Sequence, residues 1–298
     1  LATSAVAGGS GGGGSAYNKA YLIWILPHSL LTVSLATAML PSASRKAEAG
    51  DLTGVEQETT RAVELATTFL LPGSLGLLVL AEPITRLAFG HGQGADDAHY
   101  VAWALMAFAI GLVPYTIQYL YLRGFYAMEE TRTPFYLQVV ISGLNALLAL
   151  AVVLVWNDPP SVAARLALSY SVAYAIGWWL SHAWLKKQLP TLSGSAILGH
   201  LRKVTLPTLP AAALAWCITW AFGRFSSLLL QAIGLVVAAV VALLAFFFVA
   251  KRLHIAEATQ LLSVLRRRGP SATEETPGKA VAGPSAGDPE PSETPDTA

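Results

Sequence analysis

The sequence LLLQAIGLVVAAVVALLAFFFVA, residues 228–250, contains no charged residue and only one strongly polar residue, Gln231. An α-helix rises about 1.5 Å per residue, so this run is long enough to cross a bilayer hydrocarbon core of about 30 Å. A surface helix of a soluble domain would keep a polar face, which this run lacks. The run therefore predicts a transmembrane helix.

Six other stretches show the same pattern of long apolar runs with few charges. They are residues 17–40, 59–80, 98–121, 135–156, 162–185 and 204–222. The whole chain of 298 residues is 54% hydrophobic and 12% charged, whereas a soluble domain has about 25% charged residues. We predict an all-α fold, a polytopic membrane helix bundle with about seven transmembrane helices.

The connections between these helices alternate in charge. Basic residues are enriched in the cytoplasmic loops of membrane proteins. The loops after the first, third and fifth helices and the C-terminus are therefore predicted to be cytoplasmic. The basic set holds Arg45, Lys46, Arg61, Arg123, Arg132, Lys186, Lys187, Arg202, Lys203, Lys251 and Arg252, and the other set holds Lys19, Arg86, Arg165 and Arg224.

Composition divides the chain into four segments. Residues 1–16 are predicted to be a truncated helix end and a Gly/Ser-rich outer loop, in which GGSGGGGS (8–15) is either natural or an engineered linker. Residues 17–251 form the seven-helix transmembrane lobe. Residues 252–269 are predicted to be an amphipathic, basic juxtamembrane segment or an extension of the last helix. Residues 270–298 form an acidic, Pro-rich cytoplasmic tail that is predicted to be disordered.

Three motifs follow one another in the first half of the chain. Residues 27–45 hold Pro27, a helix of small residues and a P-x-x-S turn that begins at Pro41. Residues 82–92 read EPITRLAFGHG, and residues 123–134 read RGFYAMEETRTP. Asn145 follows Pro134 by eleven residues. The order and spacing of the motifs are more specific than any one of them.

Across residues 17–154 these motifs resemble the MurJ/MviN lipid II flippase family. The third is similar to the family's most recognisable element, F-Y-[AS]-x-x-[DE]-[TI]-[RK]-T-P. The resemblance implies a fourteen-helix fold of two lobes within the multidrug/oligosaccharidyl-lipid/polysaccharide (MOP) exporter superfamily. The chain would supply the end of helix seven and all of helices eight to fourteen, as a C-terminal fragment in the plasma membrane of a bacterium.

The resemblance also implies a function in peptidoglycan synthesis and cell shape. A flippase of this family moves lipid II from the inner to the outer leaflet by alternating access. The implied partners are lipid II or a similar polyprenyl-diphosphate lipid, membrane lipids and the N-terminal lobe. Two alternatives stay open: a related polysaccharide-precursor or drug exporter, and a non-transporting membrane scaffold whose tail recruits cell-wall synthesis or division proteins.

Lys19 is the first candidate for substrate binding. The family carries an Asp-Arg pair at the start of the first complete helix of its second lobe. This sequence has Tyr21 and Leu22 at the aligned positions, so the pair is missing and Lys19 is the nearest cation. Lys19 either replaces the pair or extends its side chain to the membrane–water interface on the outer face of the plasma membrane.

Three more candidates lie in and after the third motif. Arg123 and Arg132 are expected at the cytoplasmic mouth, where they contact substrate phosphate or anchor the loop and form a salt bridge with Glu129 or Glu130. Asn145 lies within an apolar helix. It contacts substrate or, like Gln118 and Gln138, forms a hydrogen bond to a neighbouring helix.

Four residues are expected to shape the helices. Pro27 and Pro41 are predicted to kink the first helix or act as hinges, because transmembrane helices tolerate proline where other groups satisfy the freed carbonyls. Thr131 is predicted to cap the helix after the third motif. Pro134 suits the first turn of that helix.

The sequence does not predict an enzyme. It contains no glycine-rich nucleotide loop, no H-E-x-x-H and no nucleophile with a plausible base. The single cysteine, Cys217, lies in an apolar run, so no disulfide framework or cysteine metal cluster is expected. We therefore predict a transporter with no cofactor, no metal site and no nucleic-acid partner.

Overall fold

The computed structural model describes residues 13–90, 98–155, 159–225 and 227–253. These ranges form seven α-helices and contain no strand. Most of the juxtamembrane segment, the acidic tail and most of the Gly/Ser-rich loop predicted from the sequence lie outside the described residues. The helices are α1 (Gly13–Glu48), α2 (Leu52–Phe89), α3 (Ala98–Ala127), α4 (Arg132–Val155), α5 (Pro159–Gln188), α6 (Gly194–Phe222) and α7 (Leu228–Arg252).

Six of these seven helices are long and apolar enough to cross a membrane. The other one, α5, has 30 residues and carries more polar side chains. Ser169, Ser171 and Ser181 of α5 are buried within the bundle, so they face neighbouring helices, as polar residues of transmembrane helices usually do. The prediction of an all-α polytopic membrane helix bundle is confirmed.

The helices extend well beyond the apolar runs that predict them. α1 ends at Glu48 rather than near residue 40, and α2 has 38 residues, which is about 57 Å of helix. An apolar run marks only the part that hydrocarbon covers, whereas the helical hydrogen bonds continue through polar turns. The turn predicted at Pro41 is wrong, because Pro41 lies inside α1.

The chain turns instead between Glu48 and Leu52. Gly50 has a φ of 73°, a left-handed conformation that glycine adopts without steric cost. Asp51 caps α2, since its Oδ1 accepts a hydrogen bond of 2.8 Å from the amide of Gly54. Nζ of Lys46 donates to Oε1 of Glu58 at 2.8 Å. These contacts hold α1 and α2 together at this end.

The third motif of the sequence contains the end of α3. The amide of Glu130 donates to the carbonyl of Phe125 at 3.0 Å, and Glu129 has a φ of 58°. This arrangement is a Schellman motif, in which a residue in the left-handed conformation ends the helix. A glutamate at that position is more strained than glycine would be.

The same motif also starts α4. Oε1 of Glu130 accepts hydrogen bonds from the amides of Arg132 and Thr133, at 2.8 and 3.0 Å. Thr131 occupies the N-cap position, where its carbonyl accepts a hydrogen bond of 3.2 Å from the amide of Phe135, but the side chain that accepts from the free amides is that of Glu130. Pro134 is buried in the first turn of α4. The motif accordingly works as a helix stop followed by a helix start.

α3 lies at the centre of the bundle, against α1, α2 and α5. The hydroxyl of Ser171 in α5 donates to the carbonyl of Ala107 at 2.7 Å, beside Gly111. On the other side of α3, the hydroxyl of Ser74 in α2 donates to the carbonyl of Ala109 at 2.6 Å. Small residues let transmembrane helices approach this closely.

α6 and α7 form a hairpin that packs against α2. Val204 of α6 and Phe246 of α7 belong to one buried cluster. Leu80 of α2, Ala215 of α6 and Ala238 of α7 belong to another. α4 lies at the periphery and packs mainly against α5.

Consecutive helices run in opposite directions. Lys46 pairs with Glu58 at one end of the α1–α2 hairpin, and Nζ of Lys19 lies 5.2 Å from the ring centroid of Phe89 at the other. The C-terminal ends of α1, α3, α5 and α7 therefore share one side of the bundle. We call this side the basic end, because it carries the eleven basic residues of the richer set, and the other side the opposite end.

Candidate functional site

Aromatic side chains of α1, α3 and α5 pack into a continuous column. The ring centroid of Trp24 lies 5.3 Å from that of Phe108, 5.0 Å from that of Tyr115 and 5.5 Å from that of Tyr170. Such separations are typical of interacting aromatic pairs. The set that we call the aromatic column consists of Tyr17, Tyr21, Trp24, His28, Phe108, Tyr115, Tyr119, Tyr170 and Tyr174.

His28 continues the column towards the basic end. It is only 3% exposed, and its Nδ1 lies 3.2 Å from the hydroxyl of Thr116. Its ring makes edge contacts with Tyr115 and Tyr119, at centroid distances of 4.5 and 5.1 Å. His28 therefore joins α1 to α3 through both a hydrogen bond and ring packing.

Arg123 closes the column at the basic end. Its Nη2 donates to the hydroxyl of Tyr119, and its guanidinium carbon lies 4.7 Å from the ring centroid of Tyr119 and 5.6 Å from that of Tyr126. Within the described ranges no carboxylate pairs with it. The predicted ion pair with Glu129 or Glu130 is wrong for Arg123, because tyrosines occupy its surroundings. Its charge remains available to an anion.

The other two candidate cations lie apart from each other. Arg132 is exposed at the basic end. Its backbone amide bonds to Glu130, but its guanidinium forms no ion pair with the carboxylates that the structure describes. Lys19 lies at the opposite end, over the ring of Phe89. The structure therefore does not bring the sequence-predicted cations into one cluster.

The three helix amides do not form the predicted bonds between helices. Gln118 is 2% exposed and its Nε2 has no partner, and the buried Oδ1 of Asn145 also has none among the described residues. Nε2 of Gln138 donates to Ser142 of the same helix at 3.4 Å. The prediction is wrong, since none of these three side chains forms a hydrogen bond to another of the described helices.

The two remaining structural candidates both lie inside α1. Pro27 is half-buried and directly precedes His28 of the aromatic column, whereas Pro41 is exposed near the basic end. A hinge at either position stays a prediction. The position of Pro27 would couple any bend of α1 to the packing of His28 against α3.

The aromatic column is absent from the sequence predictions, although its signal was present. Tyr17, Tyr21, Trp24 and His28 follow one another at intervals of three or four residues, which places them on one face of a helix. Such a face has many alternative partners in a chain with seven helices. Only the packing of α1 against α3 and α5 shows which rings meet.

The fold and these side chains define a multi-pass α-helical membrane protein in which aromatic rings pack between α1, α3 and α5 and an arginine lies at the basic end of the column. The chain matches the family described as "Lipid II flippase MurJ" over residues 2–233. It therefore belongs to the MurJ lipid II flippase family. The match extends well past residues 17–154, where the motifs are recognisable.

Individual relatives agree with this assignment. The probable lipid II flippase MurJ of Rhizobium meliloti (strain 1021) is 29% identical over 267 residues, covering 84% of this chain and 47% of the relative. That of Bdellovibrio bacteriovorus is 31% identical over 193 residues, covering 62% and 36%. A solved lipid II flippase MurJ in an inward closed conformation has the same fold, with a TM-score of 0.62, 24% identity and coverage of 80% and 47%. The chain spans about half the length of the curated relatives it matches, or less.

Proposed function

We propose that this chain forms one lobe of a flippase that moves lipid II from the inner to the outer leaflet by alternating access. The observation that carries the proposal is the family match over residues 2–233. The likeness of the helix bundle to a solved member of the family supports the fold that such a lobe requires.

The chemistry of the substrate fits the surroundings of Arg123. Lipid II carries a diphosphate, and an anion crosses hydrocarbon only if polar or cationic groups replace its water. The Arg123 guanidinium has no carboxylate partner within the described ranges, and the planar guanidinium pairs well with phosphate oxygens. We propose that Arg123 contacts the diphosphate at the basic end. Arg132 and Asn145 are secondary candidates on α4, and Lys19 is the candidate at the opposite end.

α1 offers a surface to a second lobe. Leu22, Leu26 and Leu30 follow each other at intervals of four residues and are 65%, 56% and 70% exposed. Side chains at this spacing form one stripe along a helix. We propose that the N-terminal lobe of the complete transporter packs next to this stripe, because alternating access requires two lobes that rock around a shared site.

We further propose that the basic end faces the cytoplasm of a bacterium and that α7 leads into a cytoplasmic tail. In a Cys217→Ser background, Ser227→Cys places a thiol at the opposite end and Glu48→Cys places one at the basic end, both at exposed positions. A membrane-impermeant maleimide applied to spheroplasts is expected to label Ser227→Cys and not Glu48→Cys. Labelling of Glu48→Cys alone would reverse the orientation, and detergent-opened membranes provide the control in which both react.

The function itself is tested by depleting the complete protein that carries this chain. We expect lipid II to accumulate in the inner leaflet. The fraction of lipid II that an externally added probe can reach in spheroplasts should therefore fall. Restored expression of the wild type should return that fraction to its original value. An unchanged fraction would contradict the proposal.

The same depletion separates the alternative functions. Accumulation of a different polyprenyl-linked glycan on the inner leaflet, with lipid II unaffected, would indicate a polysaccharide-precursor exporter. Displacement of cell-wall synthesis or division proteins without any change in lipid transport would indicate a scaffold that acts through its tail.

A further inference from the structure

A separate cavity opens at the opposite end, between α2, α6 and α7. Its volume is about 710 Å³, within the range of small-molecule sites. Residues 78–86 of α2, the end of α6, the first turn of α7 and Met106 of α3 line it, and it has no residue in common with the aromatic column. Its polar lining residues are Glu82, Arg86, Thr219, Arg224 and Gln231.

The lining of this cavity has a net positive charge. Nη2 of Arg86 pairs with Oε1 of Glu82 at 2.6 Å. The guanidinium carbon of Arg224 lies 3.8 Å from the ring centroid of Trp220 and forms no ion pair with the carboxylates that the structure describes. The lining therefore contains two guanidinium groups and one carboxylate. Guanidinium groups bind phosphate with good geometry.

Two tryptophans place the mouth of this cavity at the depth of lipid headgroups. Trp216 and Trp220 both line it, are 56% and 55% exposed, and have ring centroids 6.5 Å apart. Exposed tryptophans near the end of a transmembrane helix typically lie at the membrane–water interface. The arginines beside them are therefore at the level of lipid phosphates.

A second, apolar cavity, which we call the slot, adjoins the first at Leu78 and lies further from the opposite end. The slot has a volume of about 340 Å³ and shares Leu78 with the cavity. From Leu78 it follows α2 back to Leu71, which is about 10 Å deeper along the helix. Apart from Ser74 and Thr205, its lining consists of Leu71, Leu75, Leu78, Ile110, Val113 and Leu209.

A cationic mouth above an apolar slot matches an amphiphile with a negative headgroup. We infer that these two cavities together bind one anionic phospholipid, with its phosphate at Arg86 and Arg224 and an acyl chain in the slot. The bound lipid would connect α2 to the α6–α7 hairpin. The inference does not depend on lipid II transport, because it uses none of the residues proposed to contact the substrate.

The test uses the complete protein in mild detergent and counts bound lipid by native mass spectrometry during a titration with phosphatidylglycerol. The wild type is expected to hold one phosphatidylglycerol more tightly than the rest, and more tightly than phosphatidylcholine. Arg224→Gln should weaken this first binding step about five- to tenfold, since one cationic contact with phosphate is lost. Arg202→Gln, at an exposed arginine of the basic end of α6, should change it less than about twofold.

A second variant tests the slot independently of charge. Leu75→Trp fills the slot with a larger side chain, so it should also weaken the first binding step while Arg86 and Arg224 stay in place. Equal affinity of the wild type and Arg224→Gln for phosphatidylglycerol would overturn the inference. So would equal affinity for phosphatidylcholine, or tighter binding of a polyprenyl phosphate, which would assign the cavity to a carrier lipid instead.

Discussion

Replacing Gly111 by valine is expected to lower the free energy of unfolding by about 3 kcal/mol, the upper part of the range for overpacked interiors. A Cβ at this position would lie 2.8 Å from Cα of Ser171, which is backbone and moves only if α5 moves. The hydrogen bond from Ser171 to the carbonyl of Ala107 would be stretched by the same movement. Chemical unfolding of the detergent-solubilised protein measures the loss.

Gly143→Val is the matched control for this prediction. Gly143 lies on the exposed side of α4, where an added Cβ meets nothing within 4 Å. The same substitution should change the free energy of unfolding there by less than about 1 kcal/mol. If both variants unfold at the same denaturant concentration as the wild type, the close approach of α3 and α5 is not required for stability.

Arg123→Gln is expected to reduce lipid II transport at least tenfold. A charge-assisted hydrogen bond contributes about 1.5–3 kcal/mol, or about 10- to 100-fold in an equilibrium constant. Glutamine keeps a polar group but cannot provide the cation that we propose for the diphosphate. The measurement is the fraction of lipid II that reaches the outer leaflet in cells that depend on the variant, normalised to the amount of folded protein.

Two further variants separate binding from structural support. Arg123→Lys keeps the charge but loses the planar guanidinium, so transport should be restored only in part. Full restoration by lysine would show that a positive charge is sufficient at this position and would contradict the proposed role of the planar guanidinium. Arg61→Gln, at an exposed position of the same end, should leave transport within about twofold of the wild type.

The membrane fold could be predicted from the sequence because the bilayer imposes a simple rule on composition. The run at residues 228–250 and its six counterparts each correspond to one helix of the structure. The residues at which the helices begin and end could not be predicted in the same way, because they depend on which side chains form hydrogen bonds with the free backbone amides there. The side chain of Glu130, rather than that of Thr131, accepts hydrogen bonds from the two free amides of α4, although threonine is the commoner capping residue.

The candidate site was less accessible from the sequence. Arg123 could be selected, because a cation beside a recognisable motif is noticeable in a chain with so little charge. Its surroundings could not, since the carboxylates nearest in sequence are Glu129 and Glu130, whereas the groups nearest in space are Tyr119 and Tyr126. The sequence also predicts a hydrogen bond from Gln118 to a neighbouring helix, and its buried Nε2 has no partner among the described residues.

The polar character of α5 has a consequence for how the protein is made. A helix with many polar side chains is released less readily from the translocon into lipid by itself. α5 has its most extensive contact with α3, which is synthesised before it. We expect α5 to leave the translocon by docking onto an α3 that is already inserted, so biogenesis would depend on the order in which these two helices emerge.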